Sequence, residues 1–317
     1  MIILNYNYQV PEHKKLRVII NTDAKNEADD QFAIVHALLT PKFDVKGIIA
    51  AHFGEHKSKR SMEDSYEEIE KLLRLMDLKK SIKVVKGASK GMDDIDTPVI
   101  SEGSRLIIDE ALKEDSSPLY LIFLGPITDL ASAYIEEPRI VDKLTAIWIG
   151  GGVYPEGGRE FNLSNDIPAA NVVFQSPIPL WQVPKNVYQM VKVGISELEN
   201  KVKPFGDIGN YLFEQLAEYN NSPYWRNPWG DSWCLGDSPA VSLLIDDHQF
   251  HYEEKDAPFF TNDMRYQLGA SNSVRKIRVY NSIDARFTLE DMYAKIALNY
   301  PEKSETLRNK EVVNSEN

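Results

Sequence analysis

The 317-residue chain has one cysteine, Cys234, so no disulfide can form within it. Its stability must come from an apolar core, and an apolar content of 43% is enough to build a large one. A lone thiol suits a reducing compartment, and the expected location is cytoplasmic. No apolar run approaches the roughly 18 residues needed to span a bilayer, so no membrane is expected as a partner. The opening residues MIILNYNYQVPEHKK lack a basic segment followed by an apolar one, and no secretory leader is expected there. Basic residues are also in deficit, with 36 Lys and Arg against 48 Asp and Glu, for a formal net charge of −12. Such a chain repels polyanions, which excludes a nucleic-acid polymer as the expected partner and leaves small neutral ligands and divalent cations. Internal repeats and low-complexity linkers are absent, so residues 1–317 read as one domain.

What is present is an alternation of short apolar strands with amphipathic helices. Val18-Ile19-Ile20 is a β-branched run, and Phe32, Val35, Leu38 and Leu39 then recur at helical spacing. Strands are predicted at 45–53, 82–85, 119–124, 144–149, 179–183 and 277–280. Helices are predicted at 62–76, 104–113, 128–137 and 289–298. This order predicts an α/β fold with a mostly parallel open sheet flanked by helices. The α/β core is expected at about 15–195, a helical and aromatic cap at about 196–250, a closing strand and helix at about 257–300, and a polar tail from 303 to 317. Ligands of such sheets bind beyond the carboxyl ends of the strands. Asp23, His52, Gly125 and Gly150 all stand at those ends.

The segment Asn21-Thr22-Asp23-Ala24-Lys25-Asn26-Glu27-Ala28-Asp29-Asp30-Gln31 places four carboxylates within eight residues. Helix capping accounts for Asp29 and Asp30 about as well as function does. It does not account for Asp23, which ends the strand. Carboxylates crowded there repel unless a cation offsets them, and oxygen donors suit calcium or magnesium rather than zinc.

The segment resembles the signature Asp-x-Asp-Pro-Gly-x-Asp-Asp of the nucleoside hydrolases, with a longer loop and Asn21 in place of the first Asp. Four further motifs follow in the family's order. Leu124-Gly125-Pro126-Ile127-Thr128-Asp129 resembles Thr-Gly-Pro-Leu-Thr-Asn, and Ile149-Gly150-Gly151-Gly152 resembles Met-Gly-Gly-Gly beside the ribose. Glu160-Phe161-Asn162 with Asp166-Ile167-Pro168-Ala169-Ala170 resembles the Glu-Phe-Asn and Asp-Pro-Glu-Ala-Ala block. Gly236-Asp237-Ser238-Pro239-Ala240 resembles the His-Asp-Pro motif. Each motif alone reads equally well as a turn, a surface loop or a helix start; the ordered set, from about Arg17 to about Leu298, is what is specific.

The resemblance implies a calcium-dependent hydrolase of the N-glycosidic bond of a ribonucleoside. It implies Asp23 as general base and metal ligand, with Asp29, Asp30, Asp237 and the Leu124 carbonyl completing the Ca²⁺ site. It implies Glu160 and Asn162 on the ribose hydroxyls and Ile149 beside the sugar. A homodimer or homotetramer is implied in the same way. Cleavage of an N-ribosyl bond passes through an oxocarbenium-like state, so the enzyme needs a positioned water, a base and groups that hold the sugar. The chain departs from the pattern where Gly236 replaces a His that assists the leaving base. It also lacks the Asn expected before Glu160, where Gly157-Gly158 shorten the loop. The aromatic run Tyr224 to Trp233 precedes Asp237, and Trp225 and Trp229 are candidates to stack on the base. A hydrophobic plug explains that run nearly as well. His52, with Phe53 and His56, is a candidate for the mouth of the site, although a lone His is more often structural. Alternative readings are a calcium- or sugar-binding relative without turnover, and a hydrolase of a modified nucleoside or another glycoside.

Overall fold

The computed structural model describes residues 4–222, 230–269 and 275–302. The strands are β1 (Leu16–Thr22), β2 (Phe43–Ala50), β3 (Val84–Lys86), β4 (Leu119–Phe123), β5 (Leu144–Ile149), β6 (Leu180–Val183), β7 (Lys192–Gly194), β8 (Ser232–Cys234), β9 (Tyr252–Asp256), β10 (Phe259–Phe260), β11 (Tyr266–Gln267) and β12 (Lys276–Tyr280). The main sheet has eight strands in the order β3-β2-β1-β4-β5-β6-β12-β9. All neighbours are parallel except β9, which pairs antiparallel with β12 at the edge.

Strands buried on both faces need apolar side chains on both faces. In β1, Val18 and Ile20 join one core layer while Ile19 joins the other. Ile147 and Ile149 of β5 likewise face one layer, and Ala146 and Trp148 the other. Trp148 packs edge-on against Phe174 with centroids 5.5 Å apart. Its indole N–H donates to the Gly125 carbonyl at 3.0 Å, which ties β5 to the turn after β4.

The helices are α1 (Asp30–Leu38), α2 (Ser61–Leu75), α3 (Glu102–Ala111), α4 (Thr128–Glu136), α5 (Phe161–Asn165), α6 (Ile167–Gln175), α7 (Lys185–Tyr188), α8 (Ile195–Lys201), α9 (Gly206–Asn221), α10 (Pro239–Ile245) and α11 (Ala285–Asn299). The expected open, mostly parallel sheet is the one observed. The cap region supplies α8, α9, α10 and β8, which pairs antiparallel with β7 just ahead of the cap. The edge strand β9 falls just past it; its sequence, YEEKD, carries no apolar run that would mark it. Among the described residues no helix is long and apolar enough to cross a membrane.

The sheet order decides where a ligand can sit. From β1 the chain steps outward to β2 and β3, then returns to the other side of β1 with β4. The connections after β1 and β4 therefore diverge and leave a crevice at the carboxyl ends of these two strands. Asp23 follows β1 there, and Leu124-Gly125-Pro126 follow β4.

Candidate active site

A cavity of about 350 Å³ opens at this crevice. Its walls include Asp23, Glu27, Asp29, Asp30 and Asp237, with Leu124, Ile149, Glu160 and Asn162 across from them. Five of the motifs found in the sequence thus converge from strand ends far apart in the chain. Gly125 makes the approach possible, because a Cβ there would stand 2.8 Å from the carboxyl carbon of Asp23.

Carboxylate oxygens of Asp29, Asp30 and Asp237 lie within 4.8 Å of one another. Asp29 occupies the N-cap position of α1, yet its side chain accepts no capping bond, so the capping reading does not describe it. Asp30 accepts from the Thr22 hydroxyl at 2.5 Å. Asp23 stands outside that close trio, almost fully buried, and no described residue donates to its Oδ2. Burial pushes the Asp23 carboxyl well above the usual carboxylate range, and the neighbouring Asp30 and Asp29 add to the shift. Burial likewise raises Asp237 and Asp29, and it raises Asp30 to about 6. Glu27, in the lengthened loop, is raised to about 7 by burial against the pull of Lys57. Crowded buried carboxylates of this kind repel unless a cation enters among them. The donor set is all oxygen, so the residues present fit a hard divalent cation such as calcium.

The opposite wall is organised by α5. Glu160 is its N-cap, and its carboxylate accepts from the backbone N–H of Asn162 at 3.1 Å, Leu163 at 2.9 Å and Gly151 at 2.9 Å. The Tyr188 hydroxyl donates a fourth bond at 3.1 Å. A carboxylate has about four lone-pair positions, so Glu160 is fully engaged. The Asn162 amide donates to the carbonyls of Leu124, at 2.7 Å, and Ile149, at 2.8 Å, pinning the ends of β4 and β5 together. One lone pair of the Leu124 carbonyl is left for another partner.

His52 does not line this cavity. It is buried, and its Nε2 lies 2.9 Å from the Thr128 hydroxyl, which donates to Asp166 at 2.6 Å. Thr128 must therefore accept from His52, and Nδ1 accepts from the Gly54 N–H at 3.3 Å. Burial lowers this imidazole to about 4. His52 is a neutral scaffold group behind the site rather than a group at its mouth. Trp225 and Trp229 lie outside the described residues. Of the same run, Trp233 is buried edge-on against Tyr219, as in the plug reading. A Cβ on Gly236 would stand 3.0 Å from the Tyr188 ring and 3.4 Å from Asp29 Oδ2, so Tyr188 closes the wall beside the absent His. Sequence reasoning missed Tyr188, Lys57 and Lys185 as cavity residues, because no motif contains them.

The family model described as inosine-uridine preferring nucleoside hydrolase matches residues 18–306. The chain belongs to this family. It is similar to a pyrimidine-specific ribonucleoside hydrolase, RihA, of Salmonella paratyphi B, with 28% identity over 230 residues, covering 64% of this chain and 70% of the relative. Among solved structures it resembles a purine-preferring ribonucleoside hydrolase from Gardnerella vaginalis, with a TM-score of 0.74 and 19% identity over 88% of this chain and 98% of the other. A plant nucleoside hydrolase, PpNRh1, superposes with a TM-score of 0.72 and 18% identity over 90% and 99% of the two chains. At these identities the structural likenesses establish the fold, which is that of the nucleoside hydrolases.

Proposed function

We propose that this chain hydrolyses the N-glycosidic bond of a ribonucleoside, releasing the sugar and the free base, with Ca²⁺ held at the acidic pole. The observation that carries the reading is Asp23: a buried carboxylate at the switch point, with an oxygen to which no described residue donates, facing a cavity with Glu160 and Asn162 on the other side. Family membership supports the bond class, and the specificities that name the relatives, pyrimidine in one and purine in another, leave the base open.

In this reading Asp29, Asp30, Asp237, Asp23 and the Leu124 carbonyl hold the cation. When bound, a divalent cation supplies Lewis acidity toward the attacking water. Asp23 takes that water's proton, and burial makes its carboxylate a stronger base than an exposed one. The hydroxyl adds to C1′, and the bond electrons leave with the base, which ends protonated. Asn162 has both amide hydrogens committed to carbonyls, so it meets a sugar hydroxyl with its Oδ1. Glu160 is saturated, so a ribose hydroxyl reaches it only by displacing Tyr188, the one partner that is not backbone. Ile149 lies beside the sugar on the same wall. The segment holding Trp225 and Trp229 leads directly into β8 and Asp237, which supports stacking on the base.

A second reading, a calcium- and sugar-binding relative without turnover, is favoured by Gly236, which has no side chain to assist the leaving base. A panel of purine and pyrimidine ribonucleosides separates the two, with free base and reducing sugar measured in parallel. Equimolar release of both supports hydrolysis; saturable binding with no release supports the second reading.

A further inference from the structure

A second cavity, of about 330 Å³, abuts the first and shares Phe161 and Lys185 with it. Its other walls are His56, Arg159, Ser164 and Asn165. None of these residues is a carboxylate, in a chain whose formal charge is −12. The first cavity gathers acids at one pole; this neighbour presents only cationic and neutral groups. Lys185 Nζ donates to the Arg159 carbonyl at 3.2 Å, which holds the two cationic residues together at the rim. His56 packs edge-on against Phe161 with centroids 5.5 Å apart, and Lys57 Nζ sits 4.9 Å from the same ring. The Asn165 amide nitrogen is buried and has no hydrogen-bond acceptor among the described residues. An orphaned donor on a residue that lines one cavity with a guanidinium and an ammonium is an arrangement that an anion would complete.

The position of this cavity says which part of a substrate would reach it. Phe161, Ser164 and Asn165 belong to α5, the helix that Glu160 caps and that carries Asn162. The cavity is therefore on the sugar side. With C1′ and its base committed to the reacting centre and the vicinal 2′ and 3′ hydroxyls spent on the acidic pole and Asn162, the substituent at C5′ is the one left to extend toward this cavity. Arg159, which follows the shortened Gly157-Gly158 loop, stands at this rim.

We propose that the second cavity binds a phosphate carried on C5′ of the sugar, so that the preferred substrates are ribonucleoside 5′-monophosphates. This rests on the N-glycoside hydrolase reading above. Water adds across the C1′–N bond, with hydroxyl to carbon and proton to the base. The phosphate ester is untouched, and the products are the free base and ribose 5-phosphate.

Two measurements on the calcium-loaded chain test it. Calorimetry compares ribose 5-phosphate with ribose and with inorganic phosphate. Steady-state kinetics compares uridine with its 5′-monophosphate, and inosine with its own. The expected result is a preference for the phosphorylated form of about 10- to 100-fold in both Kd and kcat/KM, the scale of one or two charge-assisted contacts. Arg159→Ala and Lys185→Ala, both at the cavity rim, should each erase most of that preference. Equal binding of ribose and ribose 5-phosphate, with nucleosides cleaved as well as their monophosphates, overturns the inference and leaves the hydrolase reading standing. A phosphate preference in binding that Arg159→Ala removes, with no base released from any substrate, supports the subsite and defeats the hydrolase reading.

Discussion

Asn21 and Asp129 stand where the family pattern has Asp and Asn, so the two residue types are exchanged between the strand end and the turn. The structure pairs the exchanged residues: the Asn21 amide donates to Asp129 Oδ2 at 2.8 Å, and both side chains are buried. Asp129 also accepts from the Ala88 N–H at 2.9 Å and the Ser101 hydroxyl at 2.6 Å. Asn21→Asp alone would bury two carboxylates against each other and should cost about 3–5 kcal/mol. Adding Asp129→Asn should restore stability to within about 1 kcal/mol. Urea denaturation of the parent, the single variants and the double variant gives the coupling, and additive losses would refute the pairing. His52 yields a second expectation at this scale. Its folded pKa of about 4 lies below the unfolded 6.5, so the unfolded chain binds more protons between these values. Stability should therefore fall as pH drops from about 6.5 toward 4, by up to about 3 kcal/mol from this group. His52→Gln keeps a donor for Thr128 and an acceptor for Gly54, and it should flatten that part of the profile. Identical slopes in denaturation series at pH 7, 6 and 5 would contradict the assignment.

The strongly periodic elements were legible in the sequence, and the site-forming loops only in part. The spacing of Met62, Tyr66, Ile69, Leu73 and Met76 predicts a helix at 62–76, and α2 is Ser61–Leu75. Leu144–Ile149 is β5 to the residue. The edge strand β9 was hidden by its polar sequence, and the short α5 by having no period of its own. Crowded carboxylates singled out the acidic loop, and resemblance added Glu160 and Asn162. It left unseen that Glu160 is the hub of α5, because backbone donors carry no sequence signature. Glu160→Ala removes a cap and its bond to Gly151 N–H together, and should cost about 1–2 kcal/mol or more. Glu160→Gln, which keeps one acceptor oxygen, should cost less. Thermal melting of the two variants orders them, and an Ala variant as stable as the parent would show that α5 does not depend on this side chain.

Taken as a whole, the molecule uses one topological reversal to assemble a site from residues 23 to 237. The sheet order brings β1 and β4 side by side, β5 and α5 form the facing wall, and the turn between β8 and α10 delivers Asp237 from the cap region. Strand alternation in the sequence predicts such a sheet, but not which strand ends meet, since that depends on the direction of each crossover. The acidic pole and the Glu160 wall line the first cavity, and the cavity with Arg159 and Lys185 abuts it. The account stands on Asp23 as the base at the negative end. The most direct test is the rate of base release by the parent and by Asp23→Asn, at saturating calcium, on the best substrate of the panel. The account predicts a fall of about 10²–10⁴-fold with the melting temperature of the folded protein retained. A folded Asp23→Asn protein that releases base at the parental rate would contradict it.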